Sequence, residues 1–104
     1  MKPYKVDHSK WHNFPAAAQL QNIAAELSRA AHAGLFNIEE KRVQEISAYE
    51  RALALIDASI ADPQWKEKRR LYELRDAVAA LYVGHGDPAL SRFICSELVQ
   101  KTTL

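Results

Sequence analysis

Proline and glycine residues break this chain at three places, and the segments between the breaks have the spacing of amphipathic helices. The breaks are Ala33-Gly34-Leu35-Phe36-Asn37, Asp62-Pro63 and Gly84-His85-Gly86-Asp87-Pro88. Each supplies the stop or start that a helix requires, because glycine and proline interrupt helical hydrogen bonding. The pattern predicts an all-α protein, an up-and-down four-helix bundle in which short connections make successive helices antiparallel neighbours.

The breaks also predict the bounds of each part of the fold. Residues 1–14 are expected to be an irregular N-terminal arm, and residues 15–104 a single helical-bundle domain with helices at 15–33, about 38–60, about 63–83 and about 88–101. Asp62 and Asp87 each precede a proline, so each suits the N-cap of the helix that follows. Gly34 is expected to close the first helix in the left-handed conformation, and Asn37 with Glu40 to cap the second.

The apolar positions of the predicted helices fall on arcs when residues are placed at about 100° intervals. The first three arcs are Leu20, Ile23, Ala24, Leu27 and Ala31; Val43, Ile46, Tyr49, Leu53, Ile56 and Ile60; and Leu71, Leu74, Val78, Leu81 and Tyr82. In the predicted fourth helix, Leu90, Ile94 and Leu98 form a stripe while other apolar residues lie around it. A helix that is apolar on several sides is central or shared between subunits, so this stripe predicts a homodimer interface.

Composition narrows the range of partners. The 14 basic and 13 acidic residues leave a formal net charge of +1, so no global field favours nucleic acid or an anionic membrane. One cysteine, Cys95, excludes an internal disulfide and suits a reducing compartment. With no charged-then-apolar leader and no apolar run near the roughly 18 residues of a membrane span, we expect a cytoplasmic protein without a membrane partner.

Arg75 lies within the apolar arc of the predicted third helix. Because a guanidinium keeps its charge, we expect it to reach a carboxylate or to extend to water. Glu26, Glu45 and Asp57 are candidate partners. The favoured interpretation is a buried ion pair that sets the helix register, and the alternative is a contact to an anionic substrate.

A basic cluster near the start of the predicted third helix is a candidate nucleic-acid surface. Its residues are Trp65, Lys66, Lys68, Arg69 and Arg70. An aromatic ring beside positive charge is typical of single-stranded nucleic-acid binding. Glu67 and Glu73 interleave the cluster, however, so an ordinary solvated face is favoured.

The histidines do not form a recognisable metal motif. His8 and His12 have the i, i+4 spacing of paired ligands, but no glutamate follows His8 as metalloproteases require. His32 and His85 would join them only if folding gathered all four. No metal, cofactor or catalytic group is predicted, and whether the chain is an enzyme is left open.

Several short motifs are spread over most of the chain. In order they are WHNF at 11–14, AAQLQNI at 17–23, SRA at 28–30, YERAL at 49–53, LID at 55–57 and DPQW at 62–65, with Glu26, Ile60, Leu74, Arg75 and Gly84 as further matches. Together they resemble a family of small prokaryotic all-helical proteins with no assigned activity. The resemblance singles out a polar set, Gln19, Asn22, Glu26, Arg29 and Arg75, whose purpose packing alone does not explain.

Three hypotheses about function follow from the sequence. The first is a non-catalytic protein-protein interaction module that forms a homodimer through the fourth helix and the wide apolar face of the third. The second is a nucleic-acid-binding or RNA-processing accessory protein that uses the basic cluster. The third is a small-molecule or hydrolytic site, which requires Glu26, Arg29 and Arg75 to converge on one pocket, with His32 as a further candidate.

Overall fold

The computed structural model describes residues 4–36 and 38–83, and these residues form an all-helical fold. The helices are α1 (His8–Trp11), α2 (Ala16–Ala33), α3 (Glu39–Ile60) and α4 (Arg69–Val83). The prediction of an all-α protein is confirmed for this part of the chain. None of these helices is long and apolar enough to cross a membrane.

Contacts between side chains show that α2, α3 and α4 are successive antiparallel neighbours, with α3 in the middle. Residue numbers rise along α2 as they fall along α3, and the same holds for α3 and α4. The pairs are Gln19 with Ser59, Glu26 with Arg51, Asp57 with Arg75, and Glu50 with Tyr82. This order places the start of α2 beside the end of α3, and the end of α2 beside the start of α3.

The core lies mainly between α2 and α3. Large side chains fill its middle, where Ile23, Leu27, Tyr49 and Ile56 are fully buried. Alanines occupy much of the remaining interface, and the fully buried ones are Ala30, Ala48, Ala52 and Ala58. Because alanine adds little beyond the backbone, this composition lets the two helices pack closely over a long interface.

The predicted arcs agree with the observed core on α2 and agree only in part on α3. Ile23, Ala24, Leu27 and Ala31 are buried as expected. Val43, expected in the core, is instead 49% exposed, and the buried face of α3 runs through Glu45, Ala48, Tyr49, Ala52, Leu55, Ile56 and Ser59. The predicted arc correctly included Tyr49 and Ile56, which are fully buried, but it left out Ala48, Ala52 and Ala58, which are also fully buried.

The predicted start of the last described helix is wrong. The helix begins at Arg69 and not at Pro63. Asp62 does not cap a helix: its carboxylate accepts the backbone N–H of Gln64 in a tight turn and is otherwise used in the core. Glu67 instead accepts the N–H of Arg69 at 2.9 Å, which satisfies one of the free donors at the start of α4.

The turn between α2 and α3 also differs from the expected capping. Gly34 has φ −67°, which is ordinary right-handed helical backbone, so the expected left-handed closure is wrong. A Cβ at this position would lie 2.8 Å from Glu45 Oε2, so the missing side chain leaves room for the carboxylate of Glu45. Ile38 occupies the N-cap of α3, the position expected for Asn37, and Asn37 itself lies outside the described residues.

The N-terminal segment is attached to the helices through Trp11. Asp7 caps the single turn of α1 by accepting the N–H groups of Ser9 and Lys10. Trp11 at the end of that turn is 5% exposed and belongs to the core. The segment expected to be an irregular arm therefore contains one helical turn and contributes a core side chain.

The remaining sequence predictions concern residues 84–104, which lie outside the described part of the chain. They include the fourth helix at about 88–101, its stripe of Leu90, Ile94 and Leu98, and the residues His85 and Cys95.

The close approach of α2 and α3 predicts an asymmetry between two alanine substitutions. Ala52→Leu adds a branched side chain at a fully buried position and should lower the free energy of unfolding by about 1–3 kcal/mol. Ala17→Leu makes the same change at an exposed position of α2 and should change stability by no more than about 0.5 kcal/mol. Urea denaturation of both variants measures the difference, and equal stability would contradict close packing at Ala52.

Candidate functional site

The most extensive polar cluster in the described chain surrounds the amide of Gln19, which is fully buried near the start of α2. Its Oε1 accepts hydrogen bonds from Ser59 Oγ and Trp65 Nε1, both at 2.8 Å. Its Nε2 donates to Asp62 Oδ2 at 2.8 Å and to the carbonyls of Trp11 and Phe14 at 3.2 Å. An indole N–H can only donate, so the Trp65 contact identifies which end of the amide carries the oxygen.

Ser59 extends this cluster toward the N-terminal segment. Its hydroxyl donates to Gln19 and accepts the indole N–H of Trp11 at 3.0 Å. His12 adds a contact between its Nε2 and the carbonyl of Ala58 at 3.1 Å. The N-terminal segment, α2 and the end of α3 are therefore joined by one network of buried hydrogen bonds.

Asp62 supplies the charge of the network. The residue is 2% exposed, and its Oδ2 accepts hydrogen bonds from the side chains of Gln19 and Gln64. Burial by itself would raise the pKa of Asp62, but the hydrogen bonds from Gln64 and Gln19 and the nearby His12 outweigh it, so the pKa is below its ordinary value of 3.8. The carboxylate is therefore held ionised in a buried position.

The hydrogen bonds of the Gln19 network are made within the protein and indicate a structural role. Both lone pairs of Gln19 Oε1 are used, and the two N–H groups of its Nε2 are shared among three acceptors. Asp62 is likewise occupied by donors from Gln19 and Gln64. A group whose hydrogen-bonding capacity is filled within the protein offers little to a substrate.

A second polar cluster lies halfway along α2 and α3. Glu26, whose side chain is 13% exposed, accepts from Arg29 Nη1 at 2.5 Å and from Arg51 Nε at 2.7 Å. Two guanidinium groups thus share one carboxylate, which leaves the trio with a net charge of +1. Each arginine has five N–H donors, so most of their donors do not face Glu26.

Beside this trio, a groove of about 620 Å³ runs between the second half of α2 and the first half of α3. Its walls combine cationic, hydroxyl, amide and apolar side chains, namely Ser28, Arg29, His32, Ala33, Val43, Gln44, Ser47 and Arg51. Glu26 is not among them: it borders a second depression of about 300 Å³, which lies against the N-terminal segment. Arg29 lines both depressions.

Arg75 forms an ion pair with Asp57, one of its expected partners, at 2.6 Å between Nε and Oδ1. The expectation that this pair is buried is wrong, because the side chains are 44% and 52% exposed. The hydrogen bond and the charge of Asp57 raise the pKa of Arg75, so the guanidinium stays protonated. Exposed pairs of this kind contribute about 0–1 kcal/mol, and not the larger value expected for a buried one.

The polar set singled out by the resemblance therefore does not form one site. Gln19 lies in the buried network, and Arg75 pairs with Asp57 on the exposed face of α4. Asn22 is exposed and donates to the carbonyl of Ala18 within its own helix. Only Glu26 and Arg29 come together, with Arg51 as a third member that had not been singled out as a site residue.

The basic cluster is divided among several local contacts. Lys68 Nζ donates to the carbonyl of Ile60 at 2.6 Å, and Arg69 pairs with Glu73. Trp65 is half-buried and uses its indole N–H on Gln19. Lys66 and Arg70 are exposed, so two of the four cations lie at the surface without a local anchor among the described residues.

The described histidines lie at different ends of the molecule. His8 and His12 are neighbours in the N-terminal segment, with ring centroids 5.6 Å apart. His32 lies at the end of α2, where its ring contacts Phe36. Within residues 4–36 and 38–83, no group of three His, Cys, Asp or Glu side chains is arranged to hold a metal ion.

Two partners in these clusters carry sequence signals that were not read as a site. Ser59 occupies a buried-face position of α3, and a serine there predicts a buried hydrogen bond. Arg51 lies in the YERAL motif at 49–53. Neither signal names its partner, because the contacts span 40 and 25 positions of sequence respectively.

Comparisons with known proteins gave no relative for this chain. It matches no protein-family model, no curated protein and no solved structure. The resemblance drawn from its short motifs stays a prediction.

The Gln19 network predicts that the buried amide of Gln19 contributes much more to the free energy of unfolding than an exposed amide on the same helix. Gln19→Leu leaves the Trp65 N–H and the Ser59 hydroxyl without their acceptor and removes one donor from the buried Asp62 carboxylate, and should lower the free energy of unfolding by about 3 kcal/mol or more. Gln21→Leu changes the same residue type at an exposed position of α2 and should cost no more than about 0.5 kcal/mol. Urea denaturation measures both, and similar losses would contradict a structural role for Gln19.

Asp62 predicts a specific loss of stability in acid. Because its folded-state pKa is below the ordinary value of 3.8, its stabilisation is complete above pH 3.8 and is lost as pH falls below that value toward the folded-state pKa. Asp62→Asn should be less stable at neutral pH and should lose less further stability in acid than the wild type. Denaturation curves across this range test it, with Asp76→Asn as an exposed-carboxylate control. A curve for Asp62→Asn parallel to the wild type would contradict the prediction.

Proposed function

We propose that this protein is a non-catalytic interaction module that forms a homodimer. The observation that carries the proposal is a group of exposed apolar side chains at the α2–α3 turn, here called the turn patch: Leu35 (54% exposed), Phe36 (46%), Ile38 (55%) and Val43 (49%). Scattered exposed apolar residues are normal in soluble proteins, but several within one turn region are typical of an interaction surface.

A second copy of the chain is the occupant that the surrounding charges favour. The first turn of α3 carries the sequence Glu39-Glu40-Lys41-Arg42 beside the turn patch, so both signs of charge lie next to each other. In a two-fold symmetric dimer, the same surface meets itself in the opposite direction. The acidic positions of one copy can then face the basic positions of the other around an apolar centre.

The proposal also includes two predictions from the sequence, the up-and-down four-helix bundle and an interface formed by its last helix. The fourth helix of an up-and-down bundle, and the stripe of Leu90, Ile94 and Leu98, lie outside the described residues. They stay predictions, as does a cytoplasmic location. The turn patch supplies support for self-association that is independent of that stripe.

The other two functions have less support. Nucleic-acid binding would depend mainly on Lys66 and Arg70, since Trp65, Lys68 and Arg69 are engaged in local contacts. It stays a prediction that a salt-dependent binding assay with RNA and DNA can test. A site formed by Glu26, Arg29 and Arg75 together has no geometric support, because Arg75 pairs with Asp57.

Self-association through the turn patch predicts the effect of one charged substitution. Ile38→Glu places a carboxylate at the centre of the proposed interface and should weaken the dimer roughly 10-fold or more, because removing a central apolar contact costs over about 1 kcal/mol. Since Ile38 is 55% exposed, the variant should keep its helical circular dichroism. Sedimentation equilibrium at micromolar concentration measures the dimer.

The matched control is Tyr72→Glu. Tyr72 is 54% exposed and lies in the first turn of α4, which is beside the end of α3 and far from Ile38. This variant should dimerise as the wild type does. A wild-type chain that is strictly monomeric, or equal weakening by the two substitutions, would contradict the proposed interface.

A further inference from the structure

We propose that the groove between α2 and α3 binds the phosphate group of a small organic phosphate ester. The ligand would lie against Arg29 and Arg51, with hydroxyl and amide groups completing its contacts. This inference does not depend on self-association, since it concerns side chains that line the groove within one chain.

The charge of the groove favours an anion. Arg29, Arg51 and His32 line it, and none of its lining residues is acidic. The carboxylate that pairs with both arginines, Glu26, lies behind the groove and faces the second depression. An anion in the groove would therefore meet guanidinium groups without directly facing a competing carboxylate.

Glu26 also prepares the two arginines for binding. It holds Arg29 through Nη1 and Arg51 through Nε, so each side chain is anchored by one contact while its other N–H donors stay available. Anchoring reduces the side-chain freedom that a flexible arginine would lose on binding. Arg51 is the less exposed of the two, at 32% against 61% for Arg29.

The number of donors favours phosphate over carboxylate. Besides the arginines and His32, the groove offers the hydroxyls of Ser28 and Ser47 and the amide of Gln44. A carboxylate presents two oxygens, whereas a phosphate monoester presents three charged or strongly accepting oxygens that can use this larger set.

The size of the groove and its apolar wall favour an organic ester over the free ion. A volume of about 620 Å³ is within the range of small-molecule sites, which is about 300–1,000 Å³. Val43, which also belongs to the turn patch, forms the accessible apolar part of the wall, because Ala33 is itself buried. A small apolar group on the ester oxygen would bury surface there, so phosphate alone should bind more weakly.

The test is a titration of the full-length chain with phenyl phosphate. Isothermal titration calorimetry measures the affinity, and amide chemical shifts show which residues are affected. Inorganic phosphate and benzoate at matched ionic strength are the comparison ligands. We expect saturable binding of phenyl phosphate, with the largest shifts at Ser28 and Ser47, and at least roughly 10-fold weaker binding of each comparison ligand. Benzoate binding as tight as phenyl phosphate would overturn the assignment to phosphate, and equally tight inorganic phosphate would overturn the organic ester.

Variants identify the groove as the site. Arg29→Gln and Arg51→Gln should each weaken phenyl phosphate roughly 10-fold or more, and Arg75→Gln, which alters an exposed arginine paired with a single carboxylate, should leave it unchanged. Arg51→Gln also removes a charged partner of Glu26, whose side chain is 13% exposed. Arg51→Lys keeps the charge, so it should retain the fold while still losing affinity. No saturable binding by the wild type, or equal losses in the Arg29, Arg51 and Arg75 variants, would overturn the proposal.

One further variant separates this inference from the proposed dimer. Ile38→Glu should bind phenyl phosphate at least as tightly as the wild type, because Ile38 does not line the groove and dissociation of the dimer would uncover Val43, which does. Loss of binding in this variant would overturn a site contained within one chain.

Discussion

The buried amide of Gln19 is the interaction on which the arrangement of this fold most depends. An amide enclosed in a core is costly unless its donors and acceptor are all used, so its position determines where its partners must be. Those partners come from the N-terminal segment, from the end of α3 and from the turn before α4. A single side chain on α2 thus specifies how three other parts of the chain meet. Apolar packing alone would define this arrangement less sharply.

The two ends of α3 differ in character. Its C-terminal end is enclosed by the Gln19 network and by ionised Asp62, and its hydrogen-bonding groups are occupied internally. Its N-terminal half borders the groove, and the turn patch surrounds its start. With 22 residues at about 1.5 Å each, α3 is about 33 Å long, so the turn patch at its start lies far from the Gln19 network at its end. One end therefore stabilises the fold while the other leaves apolar and cationic groups at the surface.

The arginines show that the effect of an ion pair depends on how far it is buried. Arg75 and Asp57 form a close pair in water, where solvent and salt screen their attraction. Glu26 is much less exposed and pairs with two arginines at once. Its negative charge is therefore neutralised, and one positive charge of the trio remains beside it. The same residue types thus produce a minor surface contact in one place and an ordered cluster of positive charge in another.

The sequence by itself determined the helical class, the positions of α2 and α3 to within a residue or two, and the buried face of α2. These follow from local rules, since proline and glycine end helices and apolar residues recur with the helical period. Tertiary structure decided the start of α4, because Asp62 was drawn into the core by Gln19 instead of capping a helix. It also decided that Val43 is exposed while the alanines of α3 at 48, 52 and 58 are buried, and that Arg75 is exposed. Partners such as Ser59 and Arg51 lie tens of positions from their contacts, so only the packing of α3 against α2 could reveal them.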